Sequence, residues 1–174
     1  MQRPLESALV LVLENARPFE DVRREFARGA VAQGIPFHVT LLYPFAPADE
    51  ITDPLLEDTR AFFAEREPFD FALTRVAAWP RVVYAVPDPD RPLRECMQAL
   101  HARFPDWPPY SGAHADVIPH ATLGEDVDAP RVLPEVERLL AAHLPRRYRS
   151  EAATLLQERA PGEWRTRERF LLGG

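Results

Sequence analysis

The sequence predicts an α+β fold in which two similar lobes, each of sheet and flanking helices, enclose a cleft. Three observations predict it. A strand, helix, strand, helix, strand order of apolar patterns fills the first 78 residues and begins again at Val82. One short pattern recurs in the middle strand of each copy, as Pro36-Phe37-His38-Val39-Thr40-Leu41 and as Ile118-Pro119-His120-Ala121-Thr122-Leu123. With 174 residues, 46% of them hydrophobic, the chain fits one domain (1–174) made of two repeats, about 5–78 and 80–172, and can bury a real core.

Each element has a local cause. Ala8 to Leu13 is a continuous apolar run ending at Glu14-Asn15, as expected of a strand buried on both faces. Pro18 opens a helix in which Phe19, Val22, Phe26 and Ala30 recur at helical spacing, and Gly34 closes the loop beyond it. The first His-x-Thr strand spans Phe37 to Phe45, interrupted at Pro44, and a loop from Ala46 to Thr52 follows. Asp53-Pro54 reads as an N-cap and first-turn proline, with Leu55, Leu56, Thr59, Phe62 and Phe63 as the buried stripe. Phe69, Phe71 and Leu73 then alternate with Asp70, Ala72 and Thr74, a half-buried strand.

In the second copy, Val82 to Val86 is a strand, Asp88-Pro89-Asp90 a turn, and Pro92 the start of a helix burying Leu93, Cys96, Met97, Leu100 and Phe104. A proline-rich connector from Pro105 to Asp116 leads to the second His-x-Thr strand. Pro134 starts a helix carrying Val136, Leu139 and Leu140, and strands at Ala152 to Leu156 and Trp164 to Leu172 flank the Pro161-Gly162 turn. The copies differ chiefly in that connector: Pro18 precedes His38 by 20 residues, whereas Pro92 precedes His120 by 28.

Strand periodicity turns the repeated pattern into a chemical unit. Successive side chains alternate faces, so His38 projects with Thr40 and His120 with Thr122, while Val39, Leu41, Ala121 and Leu123 point into apolar packing. An imidazole beside a hydroxyl can move a proton and hold a phosphate oxygen. Two such units facing each other across a cleft could protonate one side of a phosphoester while activating an attacker on the other.

Charge and composition limit the partners. The net charge of −6 excludes broad attraction to a nucleic-acid backbone, so a nucleic-acid substrate is expected to be small or engaged at an end. All 21 basic residues are arginine, which with 19 prolines reflects composition bias and carries no mechanism. Cys96 is the single cysteine, so no intrachain disulfide is expected; it reads as a core residue of a cytoplasmic protein. The apolar run near the N-terminus is too short for a membrane span and lacks a signal-peptide layout.

These residues resemble a known family, the two-histidine (2H) phosphoesterases, marked by two H-x-[ST]-x motifs roughly 80 residues apart. Here they lie 82 apart, from His38 to His120. The stretches His38-Val39-Thr40-Leu41-Leu42-Tyr43-Pro44-Phe45 and Pro119-His120-Ala121-Thr122-Leu123 are similar to the bacterial 2′-5′ RNA ligase-like branch, which includes RNA 2′,3′-cyclic phosphodiesterases. The resemblance implies a bilobal fold of antiparallel sheet and helices, and metal-independent attack on a phosphodiester without a cofactor. Gly124, Glu125 and Asp126 stand where several relatives place a basic residue, which speaks against RNA ligase activity and long-RNA binding.

On this reading His38 and His120 are the catalytic acid and base, in an order the sequence leaves open. Thr40 and Thr122 bind the phosphate. Unperturbed histidines near 6.5 would make both protonation states accessible around neutrality. Tyr84, in the strand that opens the second copy, is a candidate for stacking on a base. Arg165, Arg167 and Arg169 fall on one face of the last strand by period two, either as a basic stripe at the cleft or as a solvated face. A monomer is expected, acting on an RNA 2′,3′-cyclic end, a 2′-5′ linkage or a small cyclic phosphate. Two rival readings remain: a metal site from His114, Asp116 and His120, which matches no standard zinc spacing, and a non-catalytic nucleotide- or RNA-end-binding module. His101 and His143 read as helix-surface residues, His143 in a last turn where the dipole favours a cation.

Overall fold

The computed structural model describes residues 3–113 and 116–174. Among these, eight strands form two four-stranded antiparallel sheets. The strands are β1 (Ser7–Val12), β2 (His38–Leu42), β3 (Phe69–Trp79), β4 (Val82–Asp88), β5 (Ala121–Glu125), β6 (Arg146–Ser150), β7 (Ala152–Ala160) and β8 (Glu163–Leu171). One sheet has the order β2-β1-β7-β8 and the other β5-β4-β3-β6. The α-helices are α1 (Arg17–Phe26), α2 (Arg28–Ala32), α3 (Asp53–Ala64), α4 (Arg91–Arg103) and α5 (Ala129–Leu140).

The two strand orders become identical when β1 is exchanged for β4, β2 for β5, β3 for β7 and β6 for β8, so the lobes are related in topology. They are not, however, the two halves of the sequence. Strand β3 of the first half lies in the second sheet beside β4, and β7 of the second half lies in the first sheet beside β1. The Pro80-Arg81 turn between β3 and β4 is the local cause, because a two-residue hairpin leaves consecutive strands no choice but to pair. The third strand of each lobe is thereby contributed by the other half of the chain.

Several element boundaries differ from the expectation. The first helix breaks at Ala27, whose backbone leaves the helical region at φ −132° and ψ 45°, and α2 restarts after it. The cap of α3 is Thr52, whose hydroxyl oxygen accepts from the Leu55 amide at 3.4 Å, and Asp53 is already helical. Helix α5 starts at Ala129 with Pro134 inside it, because Ala129 and Val132 join Val136 and Leu140 in one buried stripe; Leu139 lies outside that stripe, 37% exposed. Strand β6 was invisible to apolar patterning, since Arg146, Arg147 and Arg149 flank its single half-buried ring, Tyr148, on a sheet edge.

A single core runs through both sheets. Helix α4 buries Leu93, Cys96, Met97 and Leu100, and it packs against β2. Each such large side chain contributes about 1.5–3 kcal/mol of burial. Phe63 of α3 stacks on Phe170 of β8 at 5.8 Å, and Phe45 beyond β2 meets Phe104 edge-on at 5.3 Å. In this setting burial pushes the Cys96 thiol up to about 11. A smaller apolar cluster of Ala8, Val10, Leu156 and Trp164 covers the opposite face of the first sheet. No helix among the described residues is long and apolar enough to cross a membrane.

Candidate active site

Strands β2 and β5 are the edges of their respective sheets, and they approach each other where the two sheets meet. His38 and Thr40 lie on β2, while His120 immediately precedes β5 and Thr122 lies within it. All four line one cleft of about 390 Å³. A second hollow of about 480 Å³ adjoins it and shares His120, Thr122, Tyr110 and Glu125 as walls. The two His-x-Thr units thus face one space.

A β-bulge follows the threonine in each motif. In the first sheet Val10 pairs with Thr40 but Leu9 with Leu42, so Leu41 is the extra residue. In the second, Tyr84 pairs with Thr122 but Val83 with Gly124, so Leu123 is extra. An extra residue reverses the facing of everything after it. The fifth residue after each histidine, Tyr43 in one motif and Glu125 in the other, is therefore brought to the cleft side that strict alternation would deny it, and both line the cleft. Gly124 is what lets β5 come this close to α1: a Cβ there would stand 3.1 Å from the Phe26 Cβ.

Both imidazoles are held in the same way. His38 Nδ1 lies 2.7 Å from the Pro36 carbonyl oxygen, and His120 Nδ1 lies 2.8 Å from that of Ile118. A carbonyl only accepts, so each Nδ1 carries the proton and each Nε2 is left with its lone pair as an acceptor. Thr40 Oγ1 is 3.2 Å from His38 Nε2 and donates to it when no substrate is bound.

Their surroundings differ. The Arg23 side chain is only 3% exposed; it pairs with Glu20 at 2.8 Å and donates to the Ile35 carbonyl at 2.7 Å. Glu20 in turn accepts from the Phe37 amide at 3.1 Å, so the pair clamps the backbone on both sides of the carbonyl that orients His38. His120 instead has the Trp79 ring edge-on at 4.8 Å and Tyr84 at 5.6 Å.

Desolvation pulls the His38 imidazole down to about 4, with Arg23 and His120 adding smaller repulsive contributions. Desolvation also lowers His120. The expected titration of both groups near neutrality is thus corrected: burial disfavours both charged forms. Arg3 caps the far wall through two 2.7 Å bonds to Glu158, whose carboxylate these bonds hold near 2, helped by the Gly162 and Glu6 amides. The Tyr43 hydroxyl donates to Glu6 at 2.9 Å, and burial is the main reason it is pushed up to about 12.

Other candidates are placed differently from the sequence reading. Tyr84 is buried, 9% exposed, behind Trp79 at 4.3 Å and His120, so its face is already covered and Trp79 is the ring that lines the hollow. Arg165, Arg167 and Arg169 do not share a face. Leu155 pairs with Glu168 and Leu156 with Thr166, which makes Arg167 a bulge residue; Arg165 then pairs with Gln157 and Arg169 with Thr154, on opposite sides of β7. Arg165 and Arg167 border a separate surface pocket, Arg169 another, and none lines the cleft.

His114 lies outside the described residues, while Asp116 pairs with Arg94 at 3.2 Å. Among the described residues no group of three or more His, Cys, Asp or Glu side chains is arranged to hold a metal ion. Arg23, Tyr43, Tyr110 and Glu125 in the cleft, and Trp79 in the adjoining hollow, escape the sequence reading; Tyr43 and Glu125 carry no local signal, because each reaches the cleft side only through a bulge.

Comparison with known proteins agrees with this architecture. The family model described as the 2′-5′ RNA ligase superfamily matches residues 11–162. A Geobacillus kaustophilus protein named as a phosphoesterase is 24% identical over 144 residues, 80% of each chain. Among solved structures, one titled a phosphoesterase superposes with a TM-score of 0.63 at 21% identity, covering 99% of this chain and 100% of its own. Escherichia coli LigT in apo form superposes at 0.59 with 19% identity and the same coverage.

Proposed function

This chain belongs to the 2′-5′ RNA ligase superfamily, and from that premise we propose that it is a phosphodiesterase whose two histidines hydrolyse a 2′,3′-cyclic or 2′-5′ phosphodiester of a small nucleotide or RNA end, without metal. The observation that carries the reading is the matched presentation of two Nε2 atoms, each fixed by a backbone carbonyl two residues upstream, into one cleft. Structures of the Escherichia coli protein LigT, titled as complexes with 3′-AMP and with phosphate, are in keeping with a nucleotide-sized phosphate ligand for this cleft.

In this mechanism His38 is the base and His120 the acid. Arg23 opposes a positive charge at His38, whereas His120 has no such cation against it and is lowered by desolvation alone. A water proton passes to His38 Nε2 as the water oxygen bonds to phosphorus. His120 Nε2 gives its proton to the departing ribose oxygen as the old P–O bond breaks. Each transfer is worth about 10²- to 10⁴-fold in rate. Thr40 and Thr122 donate to the non-bridging oxygens as charge builds on them. The anionic substrate itself raises the proton affinity of both imidazoles, which supplies the charged acid that the empty cleft disfavours. Trp79 offers the stacking face for a base.

The test is a panel of 2′,3′-cyclic nucleotides, 2′-5′-linked dinucleotides and small cyclic phosphates, assayed in excess chelator. Hydrolysis of at least one class at undiminished rate is expected, lost in His38→Ala and His120→Ala. Activity abolished by chelator and restored by one divalent ion would replace this reading with a metal site. Binding of the panel without turnover would replace it with a nucleotide-binding module.

A further inference from the structure

The symmetry of the two motifs breaks where the bulges act. At one of the equivalent positions Tyr43 donates to Glu6; at the other stands Glu125, a carboxylate beside the phosphate-binding threonine of its own strand. Glu125 Oε1 accepts from the Ala30 amide at 3.2 Å, which aims it across the α1–α2 junction into the cleft. Among the described residues Glu125 forms no ion pair. The cations lining the same cleft are engaged elsewhere, Arg3 by Glu158 and Arg23 by Glu20. Counting Glu6, Glu158 and Glu125 against Arg3 and Arg23, the wall bears one more negative than positive charge while both histidines are neutral. This is an unusual lining for a site that must take an anion.

The charge of the ligand resolves this. A cyclic phosphodiester carries one negative charge. Hydrolysis adds one P–O bond from water, breaks one ring P–O bond and delivers a phosphomonoester whose second proton is lost to solvent with a pKa near 6, giving about two charges at neutral pH. Repulsion from a fixed carboxylate is proportional to ligand charge, so the product feels about twice the opposing energy that the substrate feels.

We propose that Glu125 selects by charge, admitting a singly charged phosphodiester and expelling the doubly charged phosphomonoester formed from it. The proposal rests on the phosphodiesterase reading above. It identifies the substrate class as internal or cyclic diesters lacking a terminal phosphate at the scissile position. It assigns Glu125 to product release and not to bond breaking.

The test is calorimetric binding of 2′-CMP, 3′-CMP and neutral cytidine at pH 8 and low salt, to wild type and to Glu125→Gln. The amide keeps an oxygen for the Ala30 amide and removes only the charge. Expected are about 10-fold tighter binding of the two monophosphates and unchanged binding of cytidine, with kcat/KM for 2′,3′-cyclic CMP rising by only about 3-fold, the square root of that factor. Half-molar NaCl should shrink the gain. Glu125→Ala should show the same charge pattern if the amide is poorly tolerated. Monophosphate binding that is unchanged, weaker or undetectable in both variants, or cytidine tightening by the same factor, overturns the proposal. If the charge pattern appears while wild type hydrolyses no cyclic diester, Glu125 selectivity stands and the phosphodiesterase reading falls.

Discussion

The pH dependence of kcat/KM is where the geometry of the two histidines makes its most exposed prediction. Lowering His38 from an ordinary 6.5 to about 4 corresponds to about 3 kcal/mol opposing its protonation in the empty cleft. As the base, His38 must be neutral, so its limb is the acid one, and activity should be lost only as pH falls through about 4. As the acid, His120 must be protonated, and desolvation places its limb below 6.5, so activity should fall as pH rises past that value. The kcat/KM optimum therefore lies on the acid side of neutrality, and by pH 7.5 the value should be at least about 10-fold below its maximum. The kcat profile, which reports the enzyme with an anion bound, should be displaced to higher pH on both limbs. His38→Ala should remove the acid limb and His120→Ala the alkaline limb, each lowering the rate by about 10²-fold or more. The assay is initial rates on a cyclic nucleotide at subsaturating and saturating concentration, from pH 3.5 to 9. A kcat/KM profile that is level between 6.5 and 8, or whose acid limb lies at 6.5 or above, refutes the account.

Three further outcomes are expected. A p-nitrophenyl phosphodiester, whose leaving group needs no proton, should recover most of the rate lost in His120→Ala and little of that lost in His38→Ala; equal recovery in both would reverse or dissolve the assignment of acid and base. Gly124→Ala should destabilise by about 1–3 kcal/mol in urea denaturation, because the added methyl meets Phe26 at 3.1 Å and β5 must retreat from α1; an unchanged midpoint would show that the approach is slack. The Arg3–Glu158 pair contributes stability that is complete above the ordinary carboxylate value of 4.5 and is lost as pH falls through about 2, so Glu158→Gln should be less stable than wild type at pH 6 and nearly equal to it near pH 2. A constant difference across that range would count against it.

The shared facing of each His-x-Thr pair was legible because a strand displays side chains at period two, which no packing context alters within three residues. The helices were legible from their opening prolines and apolar stripes, as with Pro92 and the Leu93, Cys96, Met97, Leu100 series. What stayed hidden depends on pairing partners. A bulge exists only relative to a neighbouring strand, so nothing in Thr122-Leu123-Gly124-Glu125 alone says that Leu123 is extra, and nothing in Arg165 to Arg169 says that Arg167 is. The same blindness misled the reading of the arginine stripe and concealed Glu125. Arg23 looks in sequence like any solvated helix residue; its burial follows from Glu20 three positions earlier and from the turn at Ile35, which the helix meets only after folding. The exchange of β3 and β7 between lobes likewise rests on contacts far apart in the chain, with only the Pro80-Arg81 hairpin as a local clue.

Two lobes of matching topology present general acid–base chemistry with a difficulty, since the proposed hydrolysis needs one neutral and one charged imidazole and a symmetric site would give both the same proton affinity. Here the motifs themselves remain alike, down to the carbonyl that holds each Nδ1. The difference is introduced one layer out, by Arg23, whose charge opposes protonation of His38 and has no counterpart at His120. A second difference comes at the bulge-delivered positions, a tyrosine against a glutamate. Reversal of the proposed reaction would require His120 to take a proton from a ribose hydroxyl while a doubly charged phosphate sits beside Glu125. The step that would close the ring therefore starts from the more strongly repelled of the two ligands, so Glu125 lowers occupancy of the cleft by product while leaving the overall equilibrium unchanged.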